Sequence, residues 1–110
     1  MKISKETEQK IQEMQILEQR LQNSIMQKQA FQIELAETDS ALKEIEKAGD
    51  EVFKIIGQLM IKSEKSKIHE ELINKQKILE LKIRAFEKQE TSLSQQLDKI
   101  RDEMTKSMKK

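Results

Sequence analysis

Proline is absent from this chain, and its two glycines, Gly49 and Gly57, fall close together near the middle. A proline inside a helix costs about 3 kcal/mol and a glycine about 1 kcal/mol, so nothing on either side of that centre opposes long, unbroken helices. Any reversal of the chain has to be made around the two glycines. The flanking segments carry the pattern that long helices need. Counting steps of four and three from Ile3 gives Thr7, Lys10, Met14, Leu17, Leu21, Ser24, Lys28, Phe31, Leu35, Thr38, Leu42 and Ile45. Most are apolar, and Ile11 and Ile25 widen the stripe beside polar members. This predicts a helix from about Lys5 to Ala48, with Gly49 in the left-handed conformation that commonly follows a helix end.

A second helix is predicted from about Ser66 to Met108. Ser66 would cap it, and Glu70 and Glu71 would suit the positive end of its dipole. Its stripe reads Ile68, Leu72, Lys75, Leu79, Lys82, Phe86, Gln89 and Leu93. Leu97, Ile100 and Met104 then continue it after one extra residue, a stutter. Each helix would be roughly 60–65 Å long at 1.5 Å per residue. Composition agrees with thin helices packed along a seam: 37% of residues are charged, 35% are hydrophobic and three phenylalanines are the only aromatics. So little bulky apolar material would fill a globule of this length poorly.

Between the helices, Val52–Ile56 and Leu59–Ser63 are rich in β-branched and apolar residues. Gly57-Gln58 separates them as a two-residue loop, and glycine at its first position marks a type II′ hairpin turn. The competing arrangement, one helical rod kinked at Gly57, is disfavoured by Gly49 and by the run Val52–Ile56. Alternation places Val52, Ile56, Leu59 and Ile61 on one face of the hairpin and Phe53, Ile55 and Met60 on the other. Two helices leaving one end cannot cover both faces, and a lone two-stranded hairpin is marginal in water. The hairpin should therefore pair with hairpins of other chains. The chain divides into a first coiled-coil helix (1–48), an oligomerisation hairpin (49–65) and a second coiled-coil helix (66–110).

Several function classes are excluded or disfavoured. Lys and Arg number 21 against 20 Asp and Glu, which is not the positive excess of a nucleic-acid binder. There is no cysteine, and the one histidine, His69, lacks the companions a metal site needs. No apolar run approaches the roughly 18 residues that span a bilayer, and the N-terminus lacks the apolar core of a signal peptide. No cofactor is expected, nor is catalysis, since nothing pairs a nucleophile with a base and glycine-rich phosphate loops are missing. A soluble, cytoplasmic protein devoted to protein–protein contact is the expectation.

At this point the sequence resembles a prefoldin β subunit, of archaeal type, over nearly its whole length. The strongest stretch is Glu51-Val52-Phe53-Lys54-Ile55-Ile56-Gly57 followed by Leu59-Met60-Ile61-Lys62. Gln27-Lys28-Gln29 and Ala41-Leu42-Lys43-Glu44 extend it in the first helix, and Leu79-Glu80 through Lys88-Gln89-Glu90 in the second. One hairpin, where α subunits carry two, places it in the β class. The resemblance implies a hexamer of two α and four β subunits whose hairpins form a double β-barrel body. From that body six coiled coils hang as tentacles. It further implies an ATP-independent holdase that captures non-native proteins and hands them to a group II chaperonin. Val52, Phe53, Ile55, Ile56, Gly57, Leu59, Met60 and Ile61 would then belong to the barrel body.

The clients would meet the paired chain ends. Methionine is flexible and polarizable, which suits promiscuous surfaces. Met14, Met104 and Met108 fall near the two ends, joined by Ile3, Ile11, Ile16 and Ile100; Met14 and Met104 equally suit ordinary seam positions. The basic residues at the C-terminus, Lys106, Lys109 and Lys110, suit a solvated end. The rival function is a structural coiled-coil scaffold or tether, which has the same helices but no need of a two-faced apolar hairpin.

Overall fold

The computed structural model describes residues 4–108, apart from the side chain of Met108. Helix α1 (Lys5–Lys47) leads into strands β1 (Val52–Ile56) and β2 (Leu59–Ser63), and α2 (Lys65–Met108) follows. Both helices thus run unbroken for more than 40 residues, as the lack of proline allows. The expectation at Ile3 lies outside the described residues.

The helix ends show how local chemistry sets these bounds. The Ser4 hydroxyl accepts the Thr7 N–H at 3.2 Å and the Ser4 carbonyl accepts the Glu8 N–H at 3.0 Å, making Ser4 the N-cap. Glu6 and Glu8 in the first turn suit the positive end of the dipole. At the other end of α1, the Ala48 N–H donates to the Glu44 carbonyl at 3.0 Å, and the Ala48 carbonyl accepts from Lys65 Nζ at 2.8 Å. A lysine ammonium closes this helix, so no left-handed residue is needed. Gly49 accordingly does not take positive φ, contrary to the sequence expectation. Ser66 is not the cap of α2 either. The Glu64 carbonyl takes the Ile68 N–H at 3.1 Å, so the helix starts at Lys65 and Glu70 and Glu71 lie past its first turn.

Gly57 is the one glycine with positive φ, at 60°, and no described residue other than glycine has positive φ. Positive φ at the first loop residue alone is the type II′ geometry, which matches the twist of the flanking strands. A Cβ at Gly57 or at Gly49 would meet nothing within 4 Å, so only backbone conformation separates the two positions. Gly57→Ala is expected to cost about 1–2 kcal/mol. Gly49→Ala is expected to be neutral or stabilising by up to about 1 kcal/mol. Thermal unfolding of the two variants at matched concentration checks the contrast, and equal losses would contradict it.

The chain forms two compact units. In the unit Ala30–Ile83, Leu42, Ile45, Leu79 and Ile83 are buried between the helices, together with Thr38, whose hydroxyl donates to the Glu34 carbonyl at 2.8 Å. Gln76 Nε2 donates to Asp39 at 2.7 Å, Lys75 pairs with Glu34 at 3.3 Å, and the Lys82 ammonium sits 5.1 Å from the Phe31 ring centroid. In the other unit, Leu17, Leu93 and Leu97 are buried with Met14, Leu21 and Ile100 packed against them. Arg101 pairs there with Glu18 at 3.3 Å and Lys10 with Glu103 at 3.8 Å. Burying one leucine is worth about 1.5–3 kcal/mol and an exposed ion pair about 0–1 kcal/mol, so the apolar seam dominates stability.

On α1 every seam position counted from Thr7 to Ile45 is buried or half-buried. On α2 the seam differs from the count made on sequence. Lys75, Lys82 and Gln89 are exposed, while Gln76, Ile83 and Glu90 turn inward. The two consecutive steps of four therefore fall at Ile68–Leu72–Gln76, and regular steps follow to Met104, with no stutter after Leu93. Of the three inward residues that the count passed over, Ile83 is apolar and Gln76 and Glu90 are polar. Each of these last two is held inside by a polar partner on α1, Asp39 for the first and Lys28 for the second.

Candidate functional site: the apolar hairpin and the paired helix ends

The strands pair antiparallel with Val52 opposite Ser63, Phe53 opposite Lys62, Lys54 opposite Ile61, Ile55 opposite Met60 and Ile56 opposite Leu59. Residues directly opposite share a face. One face thus carries Val52, Ile56, Leu59 and Ile61 with Lys54 and Ser63, and the other carries Phe53, Ile55 and Met60 with Lys62. This is the division the alternation predicts. Six large apolar side chains, Phe53, Ile55, Ile56, Leu59, Met60 and Ile61, are 44–70% exposed, and Val52 is half-buried. Scattered exposed apolar residues are common on proteins, but a cluster of this size on a short ribbon is not.

The two faces are not equivalent. Phe53, Ile55 and Met60, joined by Val52 of the other face, border a groove of about 500 Å³ that Ala41, Ile45, Ile68 and Leu72 of the helices also line. Lys54, on the other face, reaches Glu71 at 3.1 Å and ties β1 to α2. Among the described residues the sheet consists of β1 and β2 alone, so each strand keeps one edge of main-chain N–H and C=O groups without a strand partner there. Apolar faces and open edges together are what strand addition from another polypeptide requires.

Near the paired helix ends Lys10 and Glu103 lie 3.8 Å apart. Among the residues singled out there, Met14 and Ile100 pack against the Leu17–Leu93–Leu97 cluster and are half-buried. Ile11 and Met104 are half-buried too, whereas Ile16 is 51% exposed. The side chain of Met108, like Ile3, lies outside the described residues. The ends thus mix seam packing with partly accessible apolar surface. Sequence reasoning did not anticipate the polar layer in the same unit. Lys28 Nζ lies 2.9 and 3.1 Å from the two carboxylate oxygens of Glu90, and the Ser24 hydroxyl donates to Gln89 Oε1 at 3.4 Å. The polar seam members Ser24 and Lys28 were the available signal; of their α2 partners Gln89 stood in the sequence count, and Glu90 was missed by the phase of that count.

Among the described residues no group of three His, Cys, Asp or Glu is placed to hold a metal ion, and no helix is long and apolar enough to cross a membrane.

Comparison with known proteins agrees on what this architecture is. The family model described as "Prefoldin subunit" matches residues 8–110. The chain is 42% identical over 85 residues to the prefoldin subunit beta of Thermococcus onnurineus, covering 76% of this chain and 73% of the relative. It is 37% identical over 90 residues to that of Pyrobaculum arsenaticum, covering 80% and 73%. The crystal structure of the prefoldin beta subunit from Thermococcus strain KS-1 superposes with a TM-score of 0.87 at 32% identity, covering 96% of this chain and 95% of that one. Sequence, fold and the single hairpin converge: the chain belongs to the prefoldin family of chaperones, as a β-class subunit.

Proposed function

We propose that this chain is the β subunit of an ATP-independent holdase, four copies joining two α-class subunits in a cytoplasmic hexamer. The observation that carries the proposal is the hairpin, whose six large apolar side chains remain 44–70% exposed on two faces within a single chain. Covering them, and pairing the open edges, takes hairpins of other subunits in a common β-barrel body, with Val52–Ile56, Gly57 and Leu59–Ile61 as its contribution. The helices then serve as tentacles. Their paired ends, with Ile3, Ile11, Met14, Ile16, Ile100, Met104 and Met108, offer clients adaptable apolar contact. Several tentacles gripping one client multiply weak contacts into useful avidity while each stays reversible. Reversibility is what transfer to a group II chaperonin demands.

Native mass spectrometry after co-expression with the α-class subunit of the same organism tests the assembly. A complex of two α and four β chains is expected; a dimer or monomer that ignores the α chain would favour the scaffold or tether reading. Removing Met1–Ile11 and Met104–Lys110 should preserve that complex and weaken its suppression of aggregation by an unfolding client. Undiminished suppression would move capture away from the ends.

A further inference from the structure

In the unit containing residues 4–29 of α1 and 84–108 of α2, the outer side of α1 carries a second line at helical spacing. Gln12, Gln15, Gln19, Gln22, Met26 and Gln29 follow steps of three and four, as the seam does, yet all are exposed. Asn23 and Ile16 lie beside them. Between Gln12 and Gln29 no ionised side chain stands in this line, although 37% of the chain is charged; one step before it the exposed Glu8 ends the neutral stretch. The outer side of α2 in the same unit is different, with Arg84, Lys88, Asp98 and Asp102 all exposed. Ile16 and Met26 are 51% and 63% exposed. Gln15, Gln19 and Gln22 also edge a groove of about 570 Å³, bordered by Leu21, Leu97 and the Glu18–Arg101 pair. Among the described residues, the glutamines that bond within the chain are Gln76, Gln89 and Gln96 of α2, and the amides of this line face solvent.

We propose that this line is a capture strip for extended segments of non-native polypeptide, recognised through their main-chain peptide groups. The inference rests on the holdase reading above and gives it a chemistry. A carboxamide presents both a donor and an acceptor, matching the two groups of a peptide unit. Unpaired peptide groups are what unfolded chains share and what folded proteins have satisfied. A strip without charge neither attracts nor repels a client by its net charge, so acidic and basic chains are accepted alike. Ile16, Met26 and the edge of Leu21 add apolar contact that does not depend on sequence. A packed helix from another subunit fits the strip poorly, because it would require a continuous apolar stripe. The amides recur about every 5 Å along the helix, whereas an extended chain repeats on one side about every 6.7 Å. No long hydrogen-bonded ladder builds up, and each contact remains brief.

The test replaces Gln12, Gln15, Gln19 and Gln22 together, within the complex assembled with the α-class subunit. Suppression of aggregation is read for one acidic and one basic client diluted from denaturant. Glutamate and glutamine have similar helix propensity, so Gln→Glu keeps the helix. Gln→Glu is expected to lose the acidic client and keep the basic one, and Gln→Lys to do the reverse. Gln→Ala keeps neutrality and removes the amides, and is expected to raise the amount of complex needed for half-protection about fivefold for both clients. Unchanged protection by the Gln→Ala complex overturns the main-chain role. Unchanged protection by both charged sets overturns the strip altogether. A changed subunit count in native mass spectrometry also overturns it, by assigning this side of α1 to contact between chains. A wild-type complex that protects neither client sinks the holdase reading itself, which separates that failure from failure of the strip.

Discussion

Replacing Ile55 and Ile56 together with glutamate is expected to abolish assembly with the α-class subunit while leaving helical content unchanged. The pairing register puts Ile55 opposite Met60 and Ile56 opposite Leu59, so the two substitutions place one charge on each face of the hairpin. In the isolated chain these side chains are 70% and 52% exposed, and a carboxylate at either position remains hydrated. The cost falls on assembly alone, where an unpaired charge entering an apolar interface loses several kcal/mol. Glutamate is the sharper probe, because a lysine could bury its stem and keep its ammonium in water. Native mass spectrometry reads the subunit count, and circular dichroism at 222 nm reads the helices. The single variants tell the faces apart. Loss with Ile55→Glu alone would identify the Phe53–Ile55–Met60 face as the one buried between chains. Loss with Ile56→Glu alone would point to the Val52–Ile56–Leu59–Ile61 face. A double variant that still forms the complex would contradict the assembly role given to this hairpin.

The hairpin was legible in the sequence because its signals are local and consistent. Glycine at the first loop position, β-branched runs on either side and period-2 alternation all depend on neighbouring residues, and the register follows once the loop has two members. The α1 seam was legible because an unbroken count of four and three from Ile3 keeps its phase as far as Ile45. On α2, Leu72, Leu79, Phe86 and Leu93 recur every seven residues and leave open which residue between them turns inward. The strict count took Lys75, Lys82 and Gln89, although Ile83 is the apolar choice, and the inward Gln76 and Glu90 are polar. What holds Gln76 and Glu90 inside is the chemistry of residues far away in sequence, Asp39 and Lys28. The end of α1 was misjudged for the same reason. Glycine after a helix implies a left-handed cap, but here Lys65 supplies the cap from across the hairpin.

The second large effect is expected at the polar layer, where the sign depends on how many partners are removed. Lys28 and Glu90 have side chains only 19% and 20% exposed, and the ammonium touches both carboxylate oxygens. Lys28→Met alone leaves a carboxylate in the seam without its cation, and is expected to cost about 2–4 kcal/mol. Glu90→Leu alone strands the ammonium, with a smaller loss because the lysine stem can carry its charge outward. The double variant Lys28→Met/Glu90→Leu replaces the pair by apolar side chains that continue the seam formed by Leu21 and Leu93. It is expected to match the wild type or exceed it by about 1 kcal/mol or more. Denaturant unfolding followed by helicity, at one protein concentration for all four proteins, closes the cycle. A double variant as unstable as the sum of the singles would mean that Lys28 and Glu90 are not coupled, which would overturn the role given to the pair. The expected outcome, two losses that cancel in combination, gives the layer a role other than net stability. A charged residue at one seam position tolerates only the partner that neutralises it, so Lys28 and Glu90 would fix which residues of α1 and α2 meet at a cost in stability. The neighbouring bond from Ser24, whose side chain is almost fully buried, to Gln89 reinforces the same alignment.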